Sequence, residues 1–182
     1  DLSVGAIIAV SGTVFGILAH HGVAPAACYA ACVATALCLS LFNGCISRLL
    51  GIPALLWTLA GLALYRGLAL IIADLAIPSF SGNISVHDDA YHGPGKLYAG
   101  WVLFSATACA LAWEGCARTP RLWLALGNSE EACRLQGLQP ARILLSAFAA
   151  AGGFLGLAAL VQATQIQAIE PARLALGFEL PV

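Results

Sequence analysis

Gly127-Asn128-Ser129-Glu130-Glu131-Ala132-Cys133-Arg134-Leu135-Gln136-Gly137 is a short polar segment set between two long apolar ones, so that Leu97–Val161 runs apolar, polar, apolar. The segment predicts a short capped helix. Asn128 suits the N-cap, with Glu131 at the third helical position as in a capping box. Glu130 and Glu131 fall in the first turn and Arg134 near the end, as the helix dipole prefers. Gly137 suits the left-handed position after the last turn, and Pro140 stops any continuation. A helix this short cannot cross a bilayer. Held between two segments that can, it becomes a grip for something outside the membrane.

Working outward, apolar residues make up 60% of the 182-residue chain and charged residues only 9%, against roughly 25% charged in a soluble domain. A soluble protein so poor in charge would expose large apolar patches. The formal net charge of −1 offers nothing to a nucleic acid, which selects basic surfaces. Methionine is absent and the chain opens on Asp1. The sequence is therefore expected to be a fragment or a processed product.

No Asp, Glu, Lys or Arg occurs between Asp1 and Arg48, room for two crossings of about 20 residues each. They are expected from about Leu2 to Ala19 and from about Ala26 to Ser47, with a break near His20–Pro25. A third runs from about Pro53 to Ala73, with Pro53 suited to the first turn. Asp74–Lys96, rich in Gly, Ser, Pro, His and Asp, reads as a polar loop. A fourth span covers about Leu97–Cys116 and a fifth about Ala141–Gln162. The fold class is all-α: a polytopic transmembrane bundle of about five spans forming one domain over 1–182, with a short cytoplasmic helix. Arg48, Arg118, Arg121, Arg134 and Arg142 share one side of this topology, against Lys96 and Arg173 on the other. Because Lys and Arg favour the cytoplasm, the Gly127–Gly137 loop faces inward and Asp74–Lys96 outward.

Small residues dominate the spans, as in Ala149-Ala150-Ala151-Gly152-Gly153 with Gly156, and in Gly5, Gly12 and Gly16. Within lipid, where apolar burial cannot drive association, such faces let helix backbones approach closely. Gly12 and Gly16 form a small-xxx-small pair, which predicts tight packing in one bundle.

Four segments in fixed order carry a family resemblance. They are Asp1-Leu2-Ser3-Val4-Gly5; Gly51-Ile52-Pro53-Ala54 through Thr58-Leu59 and on to Tyr65-Arg66-Gly67-Leu68-Ala69; the Gly127–Gly137 loop; and Gly177-Phe178-Glu179-Leu180. Together they resemble the transmembrane subunit of bacterial ABC-type sugar importers, the ribose/xylose/autoinducer-2 permease family. The resemblance implies two permease copies forming a path, two cytoplasmic ATPase subunits and an outer solute-binding protein, with further helices at both ends. It implies that the Gly127–Gly137 loop touches the ATPase, which points to Asn128, Glu130, Glu131, Arg134 and Gly137. The chain departs from the family in its polar Gln162–Arg173 stretch and in its seven cysteines.

Several residues could carry chemistry. Arg66 lies thirteen residues past Pro53, about 20 Å into a core about 30 Å thick at 1.5 Å per residue. An Arg there costs about 2.5–3.5 kcal/mol on the insertion scale and should face protein or water. It either lines the translocation path, or snorkels outward or pairs with Asp74 to lock the helix end. Asn43, Thr58 and Ser105 could bond a sugar or a neighbouring helix. Trp57, Trp101, Trp113 and Trp123 could stack on a sugar ring or form the aromatic belt at the interfaces. Glu114 is placed for an interfacial ion pair with Arg118 at i+4.

The cysteines lack Cys-x-x-Cys spacing and nearby His, so they read as small buried hydrophobes rather than metal ligands. His20-His21 and His87 with Asp88, Asp89 and His92 are outer-side clusters that read as exposed polar loop. No Walker-type loop and no nucleophile–base pair is present. The chain is therefore expected to be no enzyme itself, with no metal or cofactor. The reading that follows is a sugar-translocating permease subunit of the inner membrane. Its alternatives are a permease for branched-chain amino acids or another small solute, a membrane scaffold without a path, or a metal or redox protein.

Overall fold

The computed structural model describes residues 1–78, 80–86, 89–166 and 168–175. Five helices occupy the five expected apolar stretches: α1 (Val4–His20), α2 (Pro25–Leu50), α3 (Ala54–Ala76), α4 (Gly93–Cys116) and α7 (Pro140–Gln165). Two shorter ones, α5 (Arg118–Asn128) and α6 (Glu130–Leu135), fill the connection between α4 and α7. By length and composition α2, α3 and α7 can each cross a membrane, while α1 is apolar but only 17 residues long. The chain is a multi-pass membrane protein.

Helix α1 is the axis of the bundle and packs against α2, α3 and α7. Twelve of its residues are buried, most of them Gly, Ala, Val or Ile. Its hydroxyls turn back onto its own backbone, Ser11 Oγ donating to the Ile7 carbonyl at 2.8 Å and Thr13 Oγ1 to that of Ala9 at 2.7 Å. Each polar group is thereby satisfied locally, as an apolar surrounding demands.

The most extensive pairing joins α2 and α7, and glycine explains it. A Cβ on Gly156 would lie 3.0 Å from the Val33 Cα, and one on Gly152 would lie 3.0 Å from the Leu37 Cα and 2.8 Å from the Ser40 Cβ. The two backbones meet there, as the small-residue pattern predicts, and Ser40 Oγ adds a 2.7 Å bond to the Phe148 carbonyl. Gly12 and Gly16 serve differently. Their open faces receive Leu174 and Ile169, side chains of the segment after α7, with Ala163 of α7 also in contact at Gly12.

The stretch expected as a polar loop after α3 is folded onto the bundle. Helix α3 runs past Asp74 to Ala76. Ile84–Ser85 pairs antiparallel with Ala168–Ile169, and Ile84, Val86, Tyr91 and His92 are buried. Tyr91 donates to the Val23 carbonyl at 2.8 Å and Tyr29 to that of Ala90 at 3.1 Å. The His92 ring nitrogens lie 3.0 Å from the Thr164 carbonyl and 2.9 Å from that of Val86. The apolar residues scattered among the polar ones decide the matter, because Ile84, Val86 and Tyr91 join the core around Phe15.

Candidate functional site: the α6 end of the bundle

Helix α6 forms, but its start differs from expectation. Asn128 is the last residue of α5, and Ser129 is the N-cap, its Oγ accepting from the Ala132 N–H at 3.1 Å. Glu131 then sits at the second helical position and makes no capping box. Because α5 consumes Asn128, the cap moves one residue on. The other end is as expected. Gly137 adopts φ +75°, its N–H bonds the Arg134 carbonyl and the Leu138 N–H bonds that of Cys133, each at 3.0 Å. This double closure is a Schellman turn, and it leads directly into α7.

Glu130 is the electrostatic centre of this end. Its Oε1 accepts from Arg48 Nη1 at 2.8 Å, across from the C-terminus of α2, and from Arg134 Nη2 at 2.6 Å on its own helix. Those two hydrogen-bonded guanidinium groups hold its carboxyl below the usual carboxylate range. Glu131 and Leu135 point away from the bundle, and Leu135 is 85% exposed. With Glu130 and Arg134 they line an open concavity of about 540 Å³. Leu135 is the residue that sequence reasoning passed over. An apolar side chain at i+4 from Glu131 on a six-residue helix was its only signal.

The structure brings together three of the four residues expected along a path. Asn43 is fully buried. Its Nδ2 donates to Ser3 Oγ at 2.9 Å and to Asp1 Oδ2 at 3.4 Å. Its Oδ1 accepts from Tyr65 Oη at 2.6 Å and from Trp57 Nε1 at 3.0 Å. Thr58 Oγ1 accepts from the Leu2 N–H at 3.1 Å. One amide thus ties α1, α2 and α3 together, with its polar atoms occupied by protein. The cluster lies near the α2 C-terminus, five residues before Arg48. Arg66 stands apart: its Nη1 donates to the carbonyls of Leu174 at 2.7 Å and Ala172 at 3.4 Å. The fourth residue therefore faces the segment after α7.

The Glu114–Arg118 pair does not form among the described residues. The helix stops at Cys116, Ala117 is extended, and Arg118 opens α5. Between the fourth span and the Gly127–Gly137 segment the chain forms a further helix, α5, which is amphipathic and packs on α7. Trp113 and Trp123 meet edge to face at 5.8 Å, and Trp123 Nε1 donates to Ser146 Oγ at 2.9 Å. Trp101 is 74% exposed, and Ser105 Oγ donates to the Val102 carbonyl at 3.0 Å. Cys28, Cys32 and Cys133 are buried; Cys38, Cys45, Cys109 and Cys116 are exposed on the spans, which departs from a uniformly buried role. Among the described residues no three His, Cys, Asp or Glu side chains converge on a metal-sized site. His87, Asp88 and Gly177-Phe178-Glu179-Leu180 lie outside the described residues.

Compared with known proteins, residues 1–182 match the family described as branched-chain amino acid transport system / permease component. The chain is 30% identical over 186 residues to the autoinducer 2 import system permease protein LsrC of Photorhabdus laumondii, covering 99% of this chain and 54% of that one. It is 32% identical over 183 residues to the D-allose transport system permease protein AlsC of Escherichia coli K12, covering 98% and 55%. It is 29% identical over 148 residues to the L-arabinose transport system permease protein AraH of the same organism, covering 77% and 42%. No solved structure matches. The chain spans about half the length of the curated relatives it matches. A bundle of apolar helices with a short capped helix at one end, matched over its whole length, belongs to the permease-component family.

Proposed function

We propose that the full-length protein is the membrane-spanning permease subunit of an ABC importer in the bacterial inner membrane. It moves a sugar or sugar-like solute, driven by a separate cytoplasmic ATPase subunit and supplied by an outer solute-binding protein, with a second permease copy completing the path. The observation that carries this reading is α6. It is too short to span, closed at both ends by its own caps, and presents Glu131 and Leu135 outward while Glu130 faces Arg48. The names of the relatives, which import or transport autoinducer 2, D-allose and L-arabinose, favour a sugar-like solute.

In this reading the α6 end faces the cytoplasm and closure of the ATPases pushes on Glu131 and Leu135. Displacement passes to α7 through the Gly137 turn and to α4 through α5. Arg48 is the route to α2, and Asn43 on α2 carries it to α1 and α3. The Asn43, Trp57 and Thr58 cluster forms the inner wall of the path, whose bonds must rearrange when the path opens inward. Arg66 supports its outer half by holding the segment after α7. Glu130 and Arg134 keep α6 in register, while Asn128 and Gly137 are the points where its two connections bend.

The test is ATP hydrolysis by the full-length subunit reconstituted with its ATPase and binding protein, using autoinducer 2, D-allose, L-arabinose and leucine as probes. Stimulation by a sugar-like probe is expected. Stimulation by leucine alone would replace the sugar reading with an amino acid permease. An assembled complex that no solute stimulates would favour a scaffold.

A further inference from the structure

Two neighbouring cavities between α4 and α7 share Ala110 and Phe154 in their walls and together make a trough. The first, about 360 Å³, is lined by Ala110, Trp113, Glu114, Pro120, Trp123, Leu124 and Phe154. The second, about 230 Å³, shares Ala110 and Phe154 and continues along Leu103, Ala106 and Leu157. Mostly apolar side chains line the trough, the Thr107 hydroxyl being given to the Leu103 carbonyl, and its one carboxylate lies at the α5 end. There the Glu114 carboxylate makes no hydrogen bond or ion pair among the described residues. The edge-to-face pair Trp113–Trp123 stands beside it. Since the Trp123 N–H is already given to Ser146, what the ring offers the cavity is its π-surface.

We propose that this trough binds a zwitterionic phospholipid with a primary-ammonium headgroup. The ammonium lies against Glu114 and the tryptophan faces, and one acyl chain fills the trough between α4 and α7. Three features select a cation at the α5 end. The exposed Glu114 carboxylate can accept hydrogen bonds from the N–H groups of a primary ammonium. Indole faces attract ammonium groups within about 6 Å. The last turn of α4 adds the negative end of its helix dipole, with Glu114 in it. A phosphate follows naturally, because exposed Arg118 and Arg121 flank Pro120 of the cavity wall. A neutral amphiphile offers a charge to neither group, and an anionic lipid pairs with the arginines but brings no cation to Glu114. This inference rests on membrane insertion alone and stands or falls separately from transport.

The experiment is native mass spectrometry of the full-length protein in mixed vesicle-derived nanodiscs of dioleoyl phosphatidylethanolamine, phosphatidylcholine and phosphatidylglycerol. One phosphatidylethanolamine is expected to stay bound preferentially to each chain. Glu114→Gln should lower that retention about tenfold and bring it level with phosphatidylglycerol, a change of about 1.4 kcal/mol. Ala110→Phe, which fills the trough, should displace lipid of every headgroup.

Should either variant fail to fold, wild-type protein decides the question. Brominated-acyl phosphatidylethanolamine should quench its tryptophan fluorescence more strongly than brominated phosphatidylglycerol. Equal retention of all three lipids, or Glu114→Gln without effect, would overturn the headgroup assignment. No retained lipid and no selective quenching would show that the rest of the chain or a second copy covers the trough, and would overturn the site.

Discussion

Helices α1 and α4 are both apolar and close to one membrane span in length, yet they occupy opposite situations. In α1 twelve of seventeen residues are buried; in α4 none from residue 99 onward is. Their packing partners separate them. Glycines 5, 12 and 16 and a run of Ala, Val and Ile let α1 sit at the axis with partners on every side. Helix α4 instead carries Trp101, Phe104 and Leu111, exposed by 74%, 70% and 65%, and among the long helices packs chiefly on α7. Hydropathy says that a helix belongs in the membrane. Its packing partners say whether protein or something else surrounds it.

The largest expected effect follows from the glycine contacts between α2 and α7. Gly156→Leu would drive a side chain into the Val33 backbone, so a loss of about 3 kcal/mol is expected, at the upper end for overpacking. Thermal unfolding of the full-length protein in detergent checks it. An unchanged midpoint would mean that α2 and α7 are free to separate there. Next is Asn43→Leu, which is near in size but strands the donors of Trp57 and Tyr65 and takes from Ser3 Oγ the amide it accepts from. At about 1–3 kcal/mol for buried groups left unpaired, a drop of about 2 kcal/mol is expected by the same measurement.

A local effect comes at α6. Arg48 and Arg134 hold the Glu130 carboxyl below its ordinary value, so the folded state favours the ionised form. The support this gives α6 is fully present above the ordinary carboxylate range. It is lost only as pH falls through the depressed folded value. Hydrogen exchange of the 130–135 amides, corrected for intrinsic rate, should therefore be flat from pH 8 to 5 and show lost protection only at lower pH. In an Arg48→Gln variant that loss should begin at higher pH. The smallest effect is Phe104→Leu on the open face of α4, expected to move stability by less than about 0.5 kcal/mol. A loss approaching that of Gly156→Leu would erase the contrast between the packed faces of the bundle and the open face of α4.

The sequence made the five long helices legible because uncharged stretches of about 20 residues have few alternatives in a chain this apolar. The Gly137 turn was legible for a similar reason, since one residue type and one following proline specify it. Helix α5 was not. Arg118, Thr119 and Arg121 crowd its start and make it look like loop, while the apolar face that packs on α7 is only a few residues wide. Its length then moved the α6 cap from Asn128 to Ser129. The Asn43 cluster was legible only as separate polar residues. Its partners Ser3 and Tyr65 lie 40 and 22 residues away in sequence, and no local pattern pairs them. Folding of the Asp74–Lys96 stretch onto the bundle depended on Ile84, Val86 and Tyr91, whose burial is decided by Phe15 on another helix.

The most direct test of α6 as the point where ATP hydrolysis is converted into movement is Glu131→Arg in the full-length permease reconstituted with its ATPase and binding protein. Uptake of the stimulating solute and ATP hydrolysis are measured on the same vesicles. Uptake should fall at least tenfold, with the thermal midpoint of the permease unchanged and hydrolysis no longer responding to solute. Uptake and solute-stimulated hydrolysis both at wild-type levels would contradict the account and remove α6 from the coupling route.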